Sequence, residues 1–380
     1  MAIKLSGQPG GRLSGTIAAP DGTEFRGRIS FSDRIQSIES MTEGSDDYIV
    51  PGLIDLQVNG SHGVDVMNAS AQEIGTLSRH LAREGTTAFL PTAITSPLEY
   101  IAGVHDAIAD ALASQGDHDR ASAAILGMHL EGPFISPARL GVHPQFNLDP
   151  RDEALDQILM LEKLRLITLA PELDGALEAI RRLTARGVAV SIGHSDATLE
   201  QARAGIAVGA RMFTHLFNAM RPLNHRKPGV AAAAMLPSHA IAAVIPDGVH
   251  VHPEILRLVY RTRGVEGMFI TTDKVALAGT DPTATGTFAE QPVRVADGAA
   301  RLGDGSLAGS VISMLDGMRV MVDKVGVSVS HAALMAATNP ARVLSVADRG
   351  AIQVGARADL LLLSRELKLK AVFVSGSELH

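Results

Sequence analysis

The sequence predicts an α/β chain: a (β/α)₈ barrel with a small β-sandwich domain built from both termini. Three observations carry this. Helical and strand patterns alternate from about 53 to 342, both ends read as short strands between turn residues, and one strand candidate after another ends in a polar side chain. The expected division is 1–52 and 343–380 for the two halves of the sandwich and 53–342 for the barrel.

Residues 1 to about 50 are rich in Gly, Ser and Thr, with strand-like pieces at Gly15-Thr16-Ile17-Ala18 and Ile29-Ser30-Phe31. Ala358 to Leu363 and Ala371 to Val374 read the same way, and either end alone has too few strands to bury a face. Inside the barrel region, Ser70 with Glu73 three residues on is a capping box. Ile74, Leu77 and Leu81 follow at helical spacing and Gly85 stops the helix. Thr86 to Leu90 is a buried strand. Asp174 is placed to cap a helix carrying Leu177, Ile180 and Leu183, followed by the strand Val188 to Ile192. His252-Pro253 opens another helix, Met268 to Thr272 is a strand, and Val311, Met314, Leu315, Met318 and Val322 line a last helix. A doubly wound open sheet is the alternative, weakened by the absence of GxGxxG and GxxxxGK[ST].

The chain has 380 residues, 46% hydrophobic and 20% charged, which excludes a disordered or collagen-like polymer. Its net charge of −7 argues against nucleic acid as a partner. With no cysteine, disulfides, thiolate-bound metal and a Cys nucleophile are excluded. MAIKLSGQPG lacks a secretory pattern, and the apolar stretch Val230 to Ile245 is interrupted by Pro237, Ser238 and His239. A cytoplasmic protein with no membrane partner is expected.

The strand ends carry the chemistry. Ile54 leads into Asp55, Gln57 and Asn59; Ala124 to Met128 into His129 and Glu131; Leu166 to Ala170 into Glu172; Val188 to Ile192 into His194. Arg211 to Phe213 leads into His215 and Asn218, Ala240 to Ile245 into Asp247 and His250, and Met268 to Thr272 into Asp273. A parallel barrel gathers such ends on one face. His129 and Glu131, two apart on a strand, point the same way, as do Gln57 and Asn59. Imidazoles and carboxylates on one rim are the ingredients of a hydrolytic metal site for Zn²⁺ or Fe²⁺. His62, His80, His105, His118, His239, His331 and His380 lack this context and read as surface or local structural residues. Arg221, His225, Arg226 and Lys227 form a cationic loop able to hold a phosphate or carboxylate.

PGLIDLQVNG, HLEGPFISPARLGVHP, LAPE, GHSDATLEQARAG, THLFNAMRPLNHRKPG, DGVHVHP and LAGSVISM resemble, in order, the N-acetylglucosamine-6-phosphate deacetylases of the amidohydrolase superfamily. The resemblance implies the barrel and terminal sandwich already expected, and release of acetate from N-acetylglucosamine 6-phosphate. It implies one divalent metal per subunit, Zn²⁺ before Fe²⁺, on Glu131, His194 and His215. Asp273 would be the base and then the acid, and His143 would bind the sugar and polarise the carbonyl. Val142, His143, Asn218, Ala219, Arg226, Asp247, Gly248, Val249, His250, Leu307, Ala308 and Gly309 would bind the phosphorylated N-acetyl amino sugar. Arg226 and His250 would grip the phosphate across a homodimer interface.

Two positions depart from common patterns. Where many amidohydrolases carry His-x-His, this chain has Gln57-Val58-Asn59, and neutral amides are poor ligands, so one metal is expected. Lys274 follows Asp273, either adding a cation beside the base or facing away. The alternatives are an N-acetylgalactosamine-6-phosphate deacetylase, another amidohydrolase, or a non-enzymatic sugar-phosphate sensor on a decayed scaffold.

Overall fold

The protein is described by a computed structural model that covers residues 10–116 and 119–379. His118 and His380 lie outside the described residues. Eight parallel strands follow one another in space as in sequence: β1 (Leu53–Val58), β2 (Thr86–Ile94), β3 (Met128–Glu131), β4 (Leu164–Leu169), β5 (Ala189–Ile192), β6 (Met212–Phe213), β7 (Ile241–Val244) and β8 (Met268–Ile270). The first and last strands meet just past their ends. There Asp273 N donates to Gln57 O (3.0 Å) and Asn59 N to Lys274 O (2.9 Å). The fold is the expected (β/α)₈ barrel. β1 and β2 are buried along their whole length, as strands covered on both faces must be.

The helix Ala71–Arg83 shows how local sequence fixes an element. Ser70 and Glu73 complete the capping box, and Ile74, Leu77 and Leu81 are buried at the predicted period. Two local expectations fail. The helix Ala176–Ala185 starts from Gly175, whose φ of 86° suits glycine, and the Asp174 carboxylate pairs with Arg151 instead of capping it. Val311 precedes the last barrel helix, which begins at Met314 under a Ser313–Asp316 capping box; Val322 falls in a π-turn stretch, Met321–Val325. In the first case the acid is drawn to a distant arginine, and in the second the apolar spacing runs back past the Ser313 cap at which the helix starts.

Two apolar layers hold the barrel. Between strands and helices lie Ile180, Leu183, Val190 and Phe213. Inside the barrel, Leu90, Leu166, Met212, Ile241 and Phe269 fill the half nearest the strand starts, closed below by Ala341, Val343 and Leu344. That leaves the strand-end half for polar groups.

Both termini do build one domain. Leu360–Leu363 pairs antiparallel with Tyr48–Pro51, which lies beside Gly11–Ala18, so the ends form a single seven-stranded sheet. Leu13, Ile17, Ile29, Phe31, Ile49, Leu360 and Phe373 form its core. A four-stranded antiparallel sheet, Thr285–Phe288, Gln291–Ala296, Ala299–Leu302 and Leu307–Ser310, is inserted after β8 and was not foreseen. No helix among the described residues is long and apolar enough to cross a membrane.

Leu183 is fully buried against the barrel wall. Leu183→Ala should cost about 2–5 kcal/mol through lost transfer energy and the cavity left behind. The check is a lower denaturant midpoint with an unchanged m-value.

Candidate active site

β3, β5 and β6 each deliver one side chain to a common point. Glu131 Oε1 lies 2.9 Å from His215 Nε2 and 3.2 Å from His194 Nε2, and the two nitrogens are 3.2 Å apart. All three residues are buried, and they form a possible metal-binding group among the described residues. His129 shares the Glu131 side of β3 but lies in a hydroxyl layer, 2.9 Å from Thr168 Oγ1 and 3.3 Å from Thr92 Oγ1. His194, His215 and Asp273 have φ of 47°, 26° and 52°, in the left-handed region that costs a side-chain-bearing residue about 1–3 kcal/mol. The fold holds strain where these side chains turn into the mouth.

The donor atoms fit a cation. His194 Nδ1 is 2.9 Å from the carbonyl oxygen of Arg139, which only accepts, so Nδ1 carries the proton and a neutral ring turns its Nε2 lone pair inward. His215 also directs Nε2 to the same carboxylate oxygen, while its buried Nδ1 has no partner. Facing lone pairs need positive charge between them. Without metal only protons provide it: burial presses the His215 imidazolium down, but the Glu131 hydrogen bond and charge prevail and raise its pKa. Burial pushes Glu131 up, yet its close contacts with the imidazoles of His143, His194 and His215 hold it well below the usual range. Two imidazole nitrogens and a carboxylate oxygen suit Zn²⁺ or Fe²⁺ and leave coordination positions open.

Asp273 stands beside this group. Gln57 Nε2 donates to Glu131 Oε1 and to Asp273 Oδ1, both at 3.0 Å, and Asn59 Nδ2 donates to Asp273 Oδ1 at 2.7 Å. Burial and the Glu131 charge raise the Asp273 pKa to about 6. Asp55 sits behind, accepting from Thr271 and Thr272 and so pinning the strand end that carries Asp273. Lys274 faces away, its ammonium 2.7 Å from Glu84 and its side chain only 2% exposed. Of the two orientations left open by the sequence, the structure has this one.

His143 is buried opposite. Its Nδ1 is 2.9 Å from Thr95 Oγ1, and Nε2 is 3.5 Å from Glu131 Oε2. His250 Nδ1 lies 2.6 Å from Asp247 Oδ2. A cavity of about 150 Å³ opens over the group, lined by Glu131, His194, His215 and Asp273 together with Val142, His143, Asn218, Ala219, His250, Leu307, Ala308 and Gly309. Gly309 has φ of 114°, and a Cβ there would meet the Asp273 carbonyl oxygen at 2.9 Å, so only glycine lets this strand close against Asp273. Asp247, Gly248 and Val249 do not line the cavity; Asp247 acts behind His250, accepting from the Val249 and His250 amides. Arg226 lies on an exposed loop and does not line the cavity of its own chain. Gly141 and Phe288 line it unforeseen. Gly141 sits beside Val142 in HLEGPFISPARLGVHP, whereas Phe288 comes from the inserted sheet and carries no sequence signal of its own.

A parallel barrel with two imidazoles and a carboxylate at its strand-end mouth defines a metal-dependent hydrolase of the barrel type. The amidohydrolase family model matches residues 48–379, and the chain belongs to that family. It is 37% identical to the N-acetylglucosamine-6-phosphate deacetylase of Vibrio furnissii, over 86% of this chain and 82% of that one. It is 36% identical to the N-acetylgalactosamine-6-phosphate deacetylase of Escherichia coli, over 89% of each. The crystal structure of the N-acetyl-D-glucosamine-6-phosphate deacetylase from Mycobacterium smegmatis superposes with a TM-score of 0.90 at 30% identity, covering 97% of this chain and 100% of that one. A mutant of the Mycobacterium smegmatis enzyme in complex with N-acetyl-D-glucosamine-6-phosphate matches with a TM-score of 0.88 at 30% identity, covering 97% and 98%.

The raised Asp273 pKa has a sign for stability. An unfolded Asp loses its proton near about 3.9, whereas the folded metal-free protein keeps it to about 6. At this group the native state therefore binds more protons in that window, so its own contribution to stability is lost as pH rises through about 6, opposite in sign to that of Glu131. Denaturation of chelator-treated protein from pH 4 to 6 should show this contribution as a difference in slope between the wild type and Asp273→Asn; equal slopes in the two would remove the assignment.

Proposed function

We propose that the protein hydrolyses the acetamide of N-acetylglucosamine 6-phosphate to glucosamine 6-phosphate and acetate, in the cytoplasm and as a homodimer. One divalent metal per subunit, zinc by preference, would be held by Glu131, His194 and His215. The observation that carries this reading is the convergence of those donors beside Asp273 in a cavity opposite His143. The curated relatives supply the substrate class.

An amide resists hydrolysis because its carbonyl is a poor electrophile and an amine leaves badly. The bound cation would acidify water and polarise the carbonyl. Asp273 accepts the proton of the attacking water and later passes it to the departing sugar nitrogen, so one carboxylate serves both halves. Gln57 and Asn59 keep Asp273 aimed by their amide hydrogen bonds. His143 stabilises the developing oxyanion, which requires the proton on Nε2 and the Thr95 hydroxyl donating to Nδ1. That hydroxyl also lies 3.3 Å from the Glu131 carbonyl oxygen, so its proton chooses between two acceptors. His250, expected to act across the interface with Arg226, instead lines the cavity of its own chain, where Asp247 orients it toward the sugar phosphate. Arg226, exposed and outside its own chain's cavity, would reach the phosphate bound in the other protomer.

A second reading, hydrolysis of the 4-epimer N-acetylgalactosamine 6-phosphate, is favoured by the Escherichia coli relative of that name. Acetate release from both epimers and from the unphosphorylated sugar separates the two, and absence of bound metal and of turnover would point to a sensor.

The roles separate by variant. Asp273→Asn should keep stoichiometric metal and lose at least about 100-fold in turnover, the scale of general acid–base catalysis. His194→Gln should lose metal as read by atomic absorption; full occupancy would overturn the ligand set. Arg226→Ala should raise KM for the phosphorylated sugar, and an unchanged KM would remove it from the phosphate site.

A further inference from the structure

Glu172 is the one strand-end acid to which the reading above gives no role, and it belongs to a network around Asp196. Glu172 Oε1 accepts from the Asp196 amide at 2.5 Å and Oε2 from the Ser195 hydroxyl at 2.7 Å, so its carboxylate clamps the turn that follows His194. Asp196 in turn bridges two arginines. Oδ1 accepts from Arg139 Nε (2.8 Å) and Nη2 (2.7 Å), and Oδ2 accepts from Arg221 Nη2. The three side chains are about seven-tenths buried, at 31% exposure for Arg139 and 28% for Asp196 and Arg221.

One arm of this bridge ends at the metal-binding group and the other at the loop whose Arg226 would serve the phosphate of the other protomer. The carbonyl of Arg139 accepts from His194 Nδ1, the contact that fixes the His194 tautomer and turns Nε2 inward. Arg221 opens the cationic loop that carries Arg226, five residues on in sequence. The backbone ties the same two segments together, since Ser195 N donates to Ala219 O (3.2 Å) and Arg221 N to Ser195 O (3.0 Å). Ala219 and Asn218, just before Arg221, line the cavity.

We propose that Asp196, clamped by Glu172, is a positioning residue that couples the metal-binding histidine His194 to the phosphate-binding loop 221–227. One carboxylate holds the Arg139 main chain where His194 needs it and holds the start of the loop where the sugar phosphate needs it. Neither Asp196 nor Glu172 touches the reacting atoms. Arg139 brings two charge-assisted donors to one carboxylate oxygen and Arg221 brings a third to the other, a hold stronger than a single neutral hydrogen bond gives.

The inference rests on the deacetylase reading, and its test keeps the two apart. Zinc affinity of the apoprotein and calorimetric binding of glucosamine 6-phosphate against glucosamine are measured first on the wild type. A wild type that binds neither zinc nor the phosphorylated sugar sinks the functional reading itself. Asp196→Asn should then weaken zinc by about 10–100-fold, the usual cost of losing an outer partner of a metal ligand. It should also weaken glucosamine 6-phosphate by about tenfold while leaving the small affinity for glucosamine unchanged. Glu172→Gln should move both affinities in the same direction by less, and Asp196→Glu should restore part of each. A lower Tm with both affinities intact makes the network merely structural and overturns the proposal. A loss of zinc affinity with normal phosphate binding, or the reverse, breaks the coupling and overturns it as well.

Discussion

Everything at the barrel mouth depends on one unfavourable arrangement, three electron-rich atoms within 3.2 Å of one another in a buried place. Left alone, a carboxylate oxygen and two inward nitrogen lone pairs repel, and burial removes the water that would screen them. The scaffold accepts this because it cannot easily relax. Glu131 is fixed by pairing of β3 with both neighbours, and His194 and His215 sit at strained turns whose backbone is held on each side. A cation turns the repulsion into attraction, so metal affinity is built from strain paid in folding.

The same logic accounts for the amides at Gln57 and Asn59. Two carboxylates, Glu131 and Asp273, share the mouth, and each raises the cost of ionising the other. A second cation is one remedy. Here Gln57 places one NH₂ group against both carboxylates at 3.0 Å and Asn59 adds a second donor to Asp273. Donors without net charge position Asp273 yet leave it basic enough to take a proton, which a directly bound cation would not.

The sequence made the barrel, the terminal sheet and the polar rim legible for a common reason. Each is written in local periodicity, as with Ile74, Leu77 and Leu81 after Ser70, or in residues immediately following an apolar strand, as with His194 and His215. What it concealed is non-local. Gly175 displaces Asp174 as the helix start because Asp174 is drawn to Arg151, 23 positions earlier. Phe288 reaches the cavity only because an inserted hairpin folds over the mouth, and Asp196 looks like an ordinary polar turn residue until Arg139 and Arg221 arrive from two other loops.

Lys274 shows why adjacency in sequence is a poor guide at such a site. An ammonium beside a base would favour its charged form and weaken it as a proton acceptor. Asp273 lies beyond the end of β8 and turns into the cavity at a left-handed φ of 52°, and the chain leaving that turn directs Lys274 away from it. A buried lysine then needs a partner, because an unpaired charge there is expensive. Glu84, at the end of the helix Ala71–Arg83, supplies it at 2.7 Å. The pair thereby ties the closing seam of the barrel to its first helix, and the segment that bears the base is anchored from outside by the very residue that seemed to threaten it.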